Sequence, residues 1–373
     1  MKRVISLLLT RKEEFNKIWL YKLKMEMLST LRTHTIFICI ILLYLAGYLI
    51  FSRIYGAADK VSLFLYYKNV LILGFWCFLI FFIGHSIYVK FFIRPDNFME
   101  YALNDLQTKY FNTERLCHLL LIAFSVPAFL SAFTSFKIIL PMIHPFSWDL
   151  SLAKLDAFLH GGQQPWQLLQ PVFGYPILTS ILSVFYYLWF FVMYSVLFWQ
   201  AFSLRDKQLR MQFFLTYLLS WIIIGTISAI IFSSAGPCYY GHFVKSGEDF
   251  FRPLMDYLYT ANESFPIKSI DIQELLWSAY NGRETGLVKG ISAMPSMHIS
   301  MSFLFVLLGW RVSRIAGILF SLFALIIFIG SIHLGWHYAI DGYAAIILTT
   351  IIWLAVGFVL KRNDSFEKQS SEE

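Results

Sequence analysis

Charge is scarce in this chain: Asp, Glu, Lys and Arg together make up 14% of its 373 residues. Soluble domains carry about 25% of such residues, so the shortage argues against a protein built from soluble domains. Cysteine is scarce too, and Cys39, Cys77, Cys117 and Cys238 form neither a disulfide framework nor a zinc-binding pattern. The net charge of +7 comes from basic residues in short connections, which gives no reason to expect a nucleic-acid partner.

What the chain has instead is apolar sequence. Hydrophobic residues reach 58%, and they fall into runs of about the 20 residues that a helix needs to cross a bilayer. We therefore predict an all-α fold, a polytopic membrane helical bundle with about eight transmembrane helices. The predicted spans are Thr33–Ile54, Asn69–Phe92, Leu116–Met142, Tyr175–Ser203, Met211–Ser234, Gly290–Trp310, Ile315–Ile332 and Tyr338–Leu360.

The distribution of lysine and arginine predicts the orientation of these spans. Basic residues are concentrated in the N-terminal segment, in alternate connections and after the last span, and an even number of spans puts all these regions on one side. The positive-inside rule makes that side cytoplasmic, together with both termini. The chain then divides into a basic amphipathic segment (1–32), N-terminal spans (33–145), a membrane core (146–361) with an outward loop (235–289), and a disordered polar tail (362–373).

An outward segment from Phe146 to Leu169 alternates apolar residues with Trp, Asp, His, Gly and Pro. This pattern predicts an amphipathic hairpin or a short re-entrant piece at the membrane interface, where tryptophan suits the headgroup region. A simple interfacial anchor and a lid over a lipid substrate are both open interpretations.

Ionisable residues stand at the outward ends of two apolar runs. Pro295 and Ser296 predict a helix start just before His298, and the unpaired N–H groups of such a start attract anions such as phosphate. His337 and Asp341 are four residues apart, so on a helix they share one face. The carboxylate can then hold one imidazole proton while the other nitrogen stays free as a nucleophile or base.

Isolated membrane histidines such as His85 and His118 are better explained by interhelical hydrogen bonds. A purely structural role is harder to accept for two histidines and a carboxylate that converge on one membrane face. Placing each of these ionisable side chains in a membrane span costs free energy. We therefore interpret His298, His337 and Asp341 as a catalytic set.

These residues resemble the motifs of the type 2 phosphatidic acid phosphatase superfamily, whose pattern is K-x6-R-P, then P-S-G-H, then S-R-x5-H-x3-D. Residues 295–298 match the second motif with Met297 in place of glycine, and His337-x3-Asp341 matches the end of the third. Ser331 stands where the third motif has its arginine. The Gly-Pro-Cys-Tyr stretch at 236–239 resembles the divergent branch that contains inositol phosphorylceramide synthases and related bacterial membrane phosphatases.

The resemblance implies a membrane lipid-phosphate phosphatase or phosphotransferase that acts through a phosphohistidine on the non-cytoplasmic face. His337 would be the nucleophile, Asp341 would orient it, and His298 would protonate the leaving oxygen and then serve as base. The phosphoryl oxygens would be held by residues matching the first motif, by the helix start and by nearby donors, namely Lys245, Arg252, Ser296, Arg283 or Lys289, and His333 in place of the missing arginine. No cofactor and no metal is implied; the partners are a lipid phosphate or phospholipid and the bilayer, and the oligomeric state is left open.

Three alternatives remain open. A synthase would use the same residues to transfer a phospho-headgroup to a lipid hydroxyl. A metal-dependent membrane hydrolase would use His298, His333, His337 and Asp341 as ligands. A lipid or ion transporter would also hold ionisable residues in its spans, although transporters place them near the midplane.

Overall fold

The computed structural model describes the backbone of residues 19–245, 247–282 and 290–372, and the side chains of these residues as far as residue 362 with the exception of Lys60. Over these residues the chain is all-helical, as predicted. A helical segment over residues 19–33 comes first. The main helices that follow are α1 Thr35–Ile54, α2 Tyr67–Ile93, α3 Phe98–Asp105, α4 Thr113–Phe136, α5 Asp149–Leu159, α6 Pro165–Phe173, α7 Pro176–Phe202, α8 Lys207–Ile231, α9 Arg252–Ser264, α10 Lys268–Tyr280, α11 Met297–Val312, α12 Arg314–His333 and α13 Ala339–Glu372.

Seven helices in the described part of the chain are long and apolar enough to cross a membrane: α1, α2, α4, α7, α8, α12 and the first 24 residues of α13. The shorter apolar helix α11 occupies the predicted sixth span. A polytopic helical bundle of about eight spans is therefore confirmed. Large apolar side chains on the outer surface, such as Leu71 at 73% exposure, face where lipid would lie.

The centre of the bundle is formed by α7, α8, α11, α12 and α13, and α1, α2 and α4 pack on its flank. Fully buried aromatic residues, among them Trp189, Tyr217 and Phe305, fill this core. The helices α11 and α12 form a tight hairpin in which Ser313 ends the first and caps the second, accepting a hydrogen bond from Ala316 N at 3.1 Å. A hydroxyl at this position accepts a hydrogen bond from an N–H group that has no acceptor within the new helix.

Two predicted boundaries differ from the structure. The sixth predicted span starts at Gly290, but α11 begins only at Met297. The intervening backbone is bonded elsewhere, because Ala293 N donates to the Ser234 carbonyl at 3.0 Å and Met294 N to the Ser234 hydroxyl at 3.1 Å. At the other end of the chain, α13 continues to Glu372, through the polar tail that the sequence predicts to be disordered.

The isolated membrane histidines have structural partners, as expected. His85 Nε2 lies 2.9 Å from the Asp105 carboxylate, and His118 Nε2 lies 3.1 Å from Arg210. Both pairs connect neighbouring elements of the bundle and lie apart from the residues interpreted as catalytic.

Candidate active site

A tight turn between α12 and α13 carries the second histidine stretch. The first helix ends at His333, and Gly335 then adopts a left-handed conformation with φ of 73°. The N–H group of His337 donates to the Ser331 carbonyl at 3.0 Å, and α13 begins at Ala339. The position of His337 is thus fixed by a hydrogen-bonded turn and not by a helix that continues back to His333.

His337 and Asp341 form the predicted pair, but the expectation that both lie on one helix is wrong, because His337 lies in the turn before α13. Nδ1 of His337 lies 3.2 Å from Oδ2 of Asp341, and the same oxygen accepts a hydrogen bond from Tyr338 N at 3.1 Å. Asp341 is fully buried, and its Oδ1 has no hydrogen-bond partner within the described residues. With Nδ1 facing the carboxylate, Nε2 is the ring nitrogen left for chemistry.

The first histidine stretch begins α11. Ser296 caps the helix, since its hydroxyl accepts a hydrogen bond from Ile299 N at 3.4 Å. His298 therefore lies in the first turn, and its ring centroid is 6.3 Å from that of His337. A backbone hydrogen bond of 3.3 Å from Ser296 N to the Asp341 carbonyl holds the two helix starts together. The two stretches, far apart in sequence, meet at one end of the bundle.

Aromatic rings of α7 surround His298. Its ring stacks on Tyr186 at 4.5 Å between centroids and lies 4.3 Å from Trp189, with Phe190 edge-on at 6.0 Å. Trp189 also donates its indole N–H to the His298 carbonyl at 3.0 Å. These ring contacts and the indole hydrogen bond hold the His298 imidazole in one orientation.

Met297 occupies the position where the motif has glycine, and α8 makes room for it. A Cβ added to Gly225 would lie 3.0 Å from Met297 Sδ and 2.8 Å from the Phe133 ring. Real Cβ atoms almost never come as close as 2.8 Å, and contacts of 3.0 Å are rare, so Phe133 and Met297 would both have to shift. The lack of a side chain at Gly225 therefore leaves room for both Phe133 and Met297.

Lys137 is a functional candidate that the sequence analysis missed. Lys137 follows the last residue of α4 and packs closely against Gly290. A Cβ added to Gly290 would lie only 2.5 Å from the Lys137 Cβ. Its charge interacts with both His298 and His337. Within the described residues it makes no ion pair, and burial lowers its pKa to about 8. An unpaired cation beside two imidazoles is suited to bind an anion.

The local electrostatics keep His337 neutral. Burial lowers the pKa of His337 to about 3, and the charge of Lys137 contributes in the same direction. A hydrogen bond to the Ala293 carbonyl has a smaller, opposing effect. At neutral pH the imidazole is therefore uncharged, and one of its ring nitrogens carries a lone pair. A neutral ring is the form that can attack phosphorus.

The structure does not bring His333 to this pair. Its ring is fully buried, its Nε2 lies 2.9 Å from the Thr179 hydroxyl, and it contacts the rings of Phe173 and Tyr257. The four-residue metal set that includes His333 is accordingly not assembled. Among the residues that the structure describes, no three His, Cys, Asp or Glu side chains are grouped so that they could hold a metal ion.

The cations predicted from the first motif lie on the protein surface. Lys245 is exposed, and so is Arg252 at the start of α9, whose Nε lies 3.9 Å from the Asp256 carboxylate. Neither has a contact with His298 or His337 in the described part of the chain. Arg283 and Lys289 lie outside the described residues.

Comparison with known families identifies a superfamily for most of the bundle. The family model described as the PAP2 superfamily matches residues 150–355, more than half of the chain. The matched range contains His298, His337 and Asp341, whereas Lys137 precedes it. Neither the curated proteins nor the solved structures gave a match to the chain.

Proposed function

The chain belongs to the PAP2 superfamily, and on that premise we propose that it transfers the phosphoryl group of a membrane lipid phosphate through a phosphohistidine. The observation that carries this proposal is the placement of the His298 ring 6.3 Å from a neutral His337 that is paired with Asp341. A phosphoryl group between the two rings could meet a nucleophile on one side and a proton donor on the other.

In the first step, the Nε2 lone pair of His337 attacks phosphorus and the bond from phosphorus to the leaving oxygen breaks. His298 gives its proton to that oxygen, so the leaving group departs as a neutral alcohol. Asp341 holds the Nδ1 proton and offsets the positive charge that forms on the phosphorylated ring. Positioned proton transfer of this kind contributes typically about 10²–10⁴-fold to the rate.

In the second step, an acceptor oxygen attacks phosphorus while His298 takes its proton. The bond from phosphorus to Nε2 breaks, and its electrons return to the imidazole of His337. Water as acceptor gives a phosphatase, and a lipid or sugar hydroxyl gives a synthase. The same residues serve both reactions.

We assign Lys137 to the phosphoryl oxygens. The substrate brings at least one negative charge into a buried site, and charge on its oxygens must be stabilised as bonds change. Lys137 is the cation whose charge interacts with both histidines, and it lacks an acidic partner in the described residues. It would take the role that the sequence analysis gave to Lys245 and Arg252.

We further propose that the site opens toward the non-cytoplasmic side. The support is the distribution of basic residues, which puts the opposite ends of the same helices in the cytoplasm. A substrate that enters from the adjoining leaflet would reach both histidines without crossing the bundle.

The test uses purified full-length protein in mixed micelles with a panel of lipid phosphates, with and without lipid hydroxyl acceptors. Free phosphate and new phospholipid are measured separately, which distinguishes the two acceptor classes. We expect turnover of at least one lipid phosphate and its loss in the His337→Asn variant. Turnover that survives this substitution, or no turnover of any lipid phosphate by the wild type, would contradict the proposal.

A further inference from the structure

Two buried carboxylates on α5 belong to none of the motifs. Asp149 and Asp156 are only 2% and 1% exposed, although they lie in the outward segment whose role the sequence leaves open. They are seven residues apart, which is two turns and places them on one face of the helix. Neither makes an ion pair in the described residues. Buried charges without a counter-ion need several hydrogen bonds, so their partners identify their role.

Asp156 caps α13 from a different helix. Its Oδ2 accepts a hydrogen bond from Ala339 N at 2.7 Å, and its Oδ1 accepts one from Ile340 N at 2.9 Å. These are the first two residues of the helix, and Asp341 is the third. The first N–H groups of a helix have no partner inside it, and a carboxylate there also interacts favourably with the helix dipole. Asp156 thus fixes the turn of helix that carries Asp341.

Asp149 holds the other side of the same turn. It accepts hydrogen bonds from Ala235 N at 2.9 Å, from Gly236 N at 2.9 Å and from the Tyr338 hydroxyl at 2.8 Å. Tyr338 follows His337 directly, and its own N–H bonds to the Asp341 carboxylate. A Cβ at Gly236 would lie 2.8 Å from the Trp336 carbonyl, so this loop rests against the histidine turn. One carboxylate therefore ties the loop to the turn.

We infer that Asp149 and Asp156 are positioning residues, which clamp the His337 turn to the start of α13 so that Asp341 meets Nδ1 of His337. The inference rests on the proposed function. It gives α5 a role beyond that of an interfacial anchor or a lid, because the helix holds the catalytic pair in register. Neither carboxylate is required to touch the substrate.

The clamp of Asp156 depends on its ionisation. Burial raises the pKa of Asp156 to about 6, against the opposing effect of its two backbone hydrogen bonds. The titratable groups that face it are Asp341 and Tyr343 on α13 and His160 at the end of α5. The ionised form accepts both N–H groups, so the clamp is complete above about pH 6 and weakens as the pH falls through that value. Because the pKa of Asp156 is raised in the folded state, protonation of this group at low pH does not destabilise the fold. A loss of activity in acid that is caused by Asp156 is therefore distinct from unfolding.

The experiment compares Asp156→Asn and Asp149→Asn with Asp271→Asn, a matched change at an exposed aspartate of α10. Misplacement of a catalytic group by about 1 Å can cost on the order of 10²-fold. We expect kcat per folded molecule to fall about 10- to 100-fold in both variants, with KM nearly unchanged. The acid limb near pH 6 should disappear in Asp156→Asn, and Asp271→Asn should behave as wild type.

A second readout does not depend on turnover. Diethyl pyrocarbonate modifies neutral imidazoles, and mass spectrometry gives its rate at His337. A turn released from its clamp should react faster in Asp156→Asn than in wild type. Unchanged modification, or unchanged kcat and pH profile in an active protein, would overturn the inference. Failure of the wild type to turn over any lipid phosphate would count against the proposed function, while the modification rate would still decide on the clamp.

Discussion

Replacement of Lys137 by glutamine tests the assignment of the phosphate-binding cation. A lysine about 4 Å from a phosphoryl charge contributes about 4 kcal/mol at an effective dielectric constant of about 20. Glutamine keeps one donor, so part of this contribution survives. Loss of one such donor typically costs about 10²–10³-fold in kcat. We expect a fall of that size in phosphate release from mixed micelles, with much of it restored in Lys137→Arg.

The pH dependence of kcat/KM is a second test of the role of Lys137. Burial lowers the pKa of Lys137 to about 8, so the amine loses its charge as the pH rises through that value. In wild type, kcat/KM should therefore decline above about pH 8, and this alkaline limb should be absent in Lys137→Gln. The exposed Lys154 on α5 gives the matched control, since Lys154→Gln should keep both the rate and the limb.

Stability separates a functional from a structural role for Lys137. Burial of an ammonium without a partner destabilises the fold, so Lys137→Met should raise the unfolding temperature at neutral pH while it removes activity. The destabilisation is fully present below the folded-state pKa of about 8 and is lost as the pH rises toward the unfolded value. Retention of activity within about threefold in Lys137→Gln, with the alkaline limb intact, would refute the reasoning, because the expected loss is about 10²-fold or more.

Three further substitutions test the surroundings of the histidine pair. Tyr186→Leu removes the ring stacked on His298. Because an aromatic ring pair contributes about 0.5–1.5 kcal/mol, loss of this orienting contact should lower kcat about 2- to 12-fold. No change in the steady-state rate would show that the ring is dispensable. Gly225→Ala puts a Cβ 3.0 Å from Met297 Sδ, so it should lower kcat. The double variant Gly225→Ala with Met297→Gly should recover part of that loss. Lack of any recovery would show that the two positions are not coupled. Thr179→Val leaves buried His333 without its 2.9 Å partner, which should cost about 1–3 kcal/mol in thermal unfolding; a lower kcat at unchanged stability would instead place His333 in phosphate binding.

The membrane architecture and the histidine pair follow from the sequence because they rest on strong local signals. Long apolar runs predict helices, and an ionisable residue at the end of such a run is costly without a function. The spacing of His337 and Asp341 also predicts their pairing, which is observed at 3.2 Å, although the turn before α13 and not a shared helix brings His337 to Asp341. The hydropathy pattern fails at Gly290–Ser296, because apolar residues there are bonded to a loop, and composition does not distinguish such a segment from a helix.

Contacts between distant segments explain what the sequence did not predict. Lys137 lies inside the predicted span Leu116–Met142, and nothing local indicates that it meets His298 and His337, more than 150 residues further on. The same holds for Asp156, whose partners are backbone N–H groups without a sequence signature. Conversely, Lys245 and Arg252 match a motif in letters but are exposed, because a spacing pattern does not specify which way a surface loop faces.

The central claim is that His337 forms a covalent bond to phosphorus. The most direct measurement incubates the wild-type protein with a lipid phosphate labelled with radioactive phosphorus, followed by a rapid quench at alkaline pH and mapping of the labelled peptide by mass spectrometry. The account predicts an acid-labile phosphate on His337 at early quench times, absent in the His337→Asn variant. Label on another residue, or an active wild type in which no quench time yields a phosphorylated His337, would contradict it.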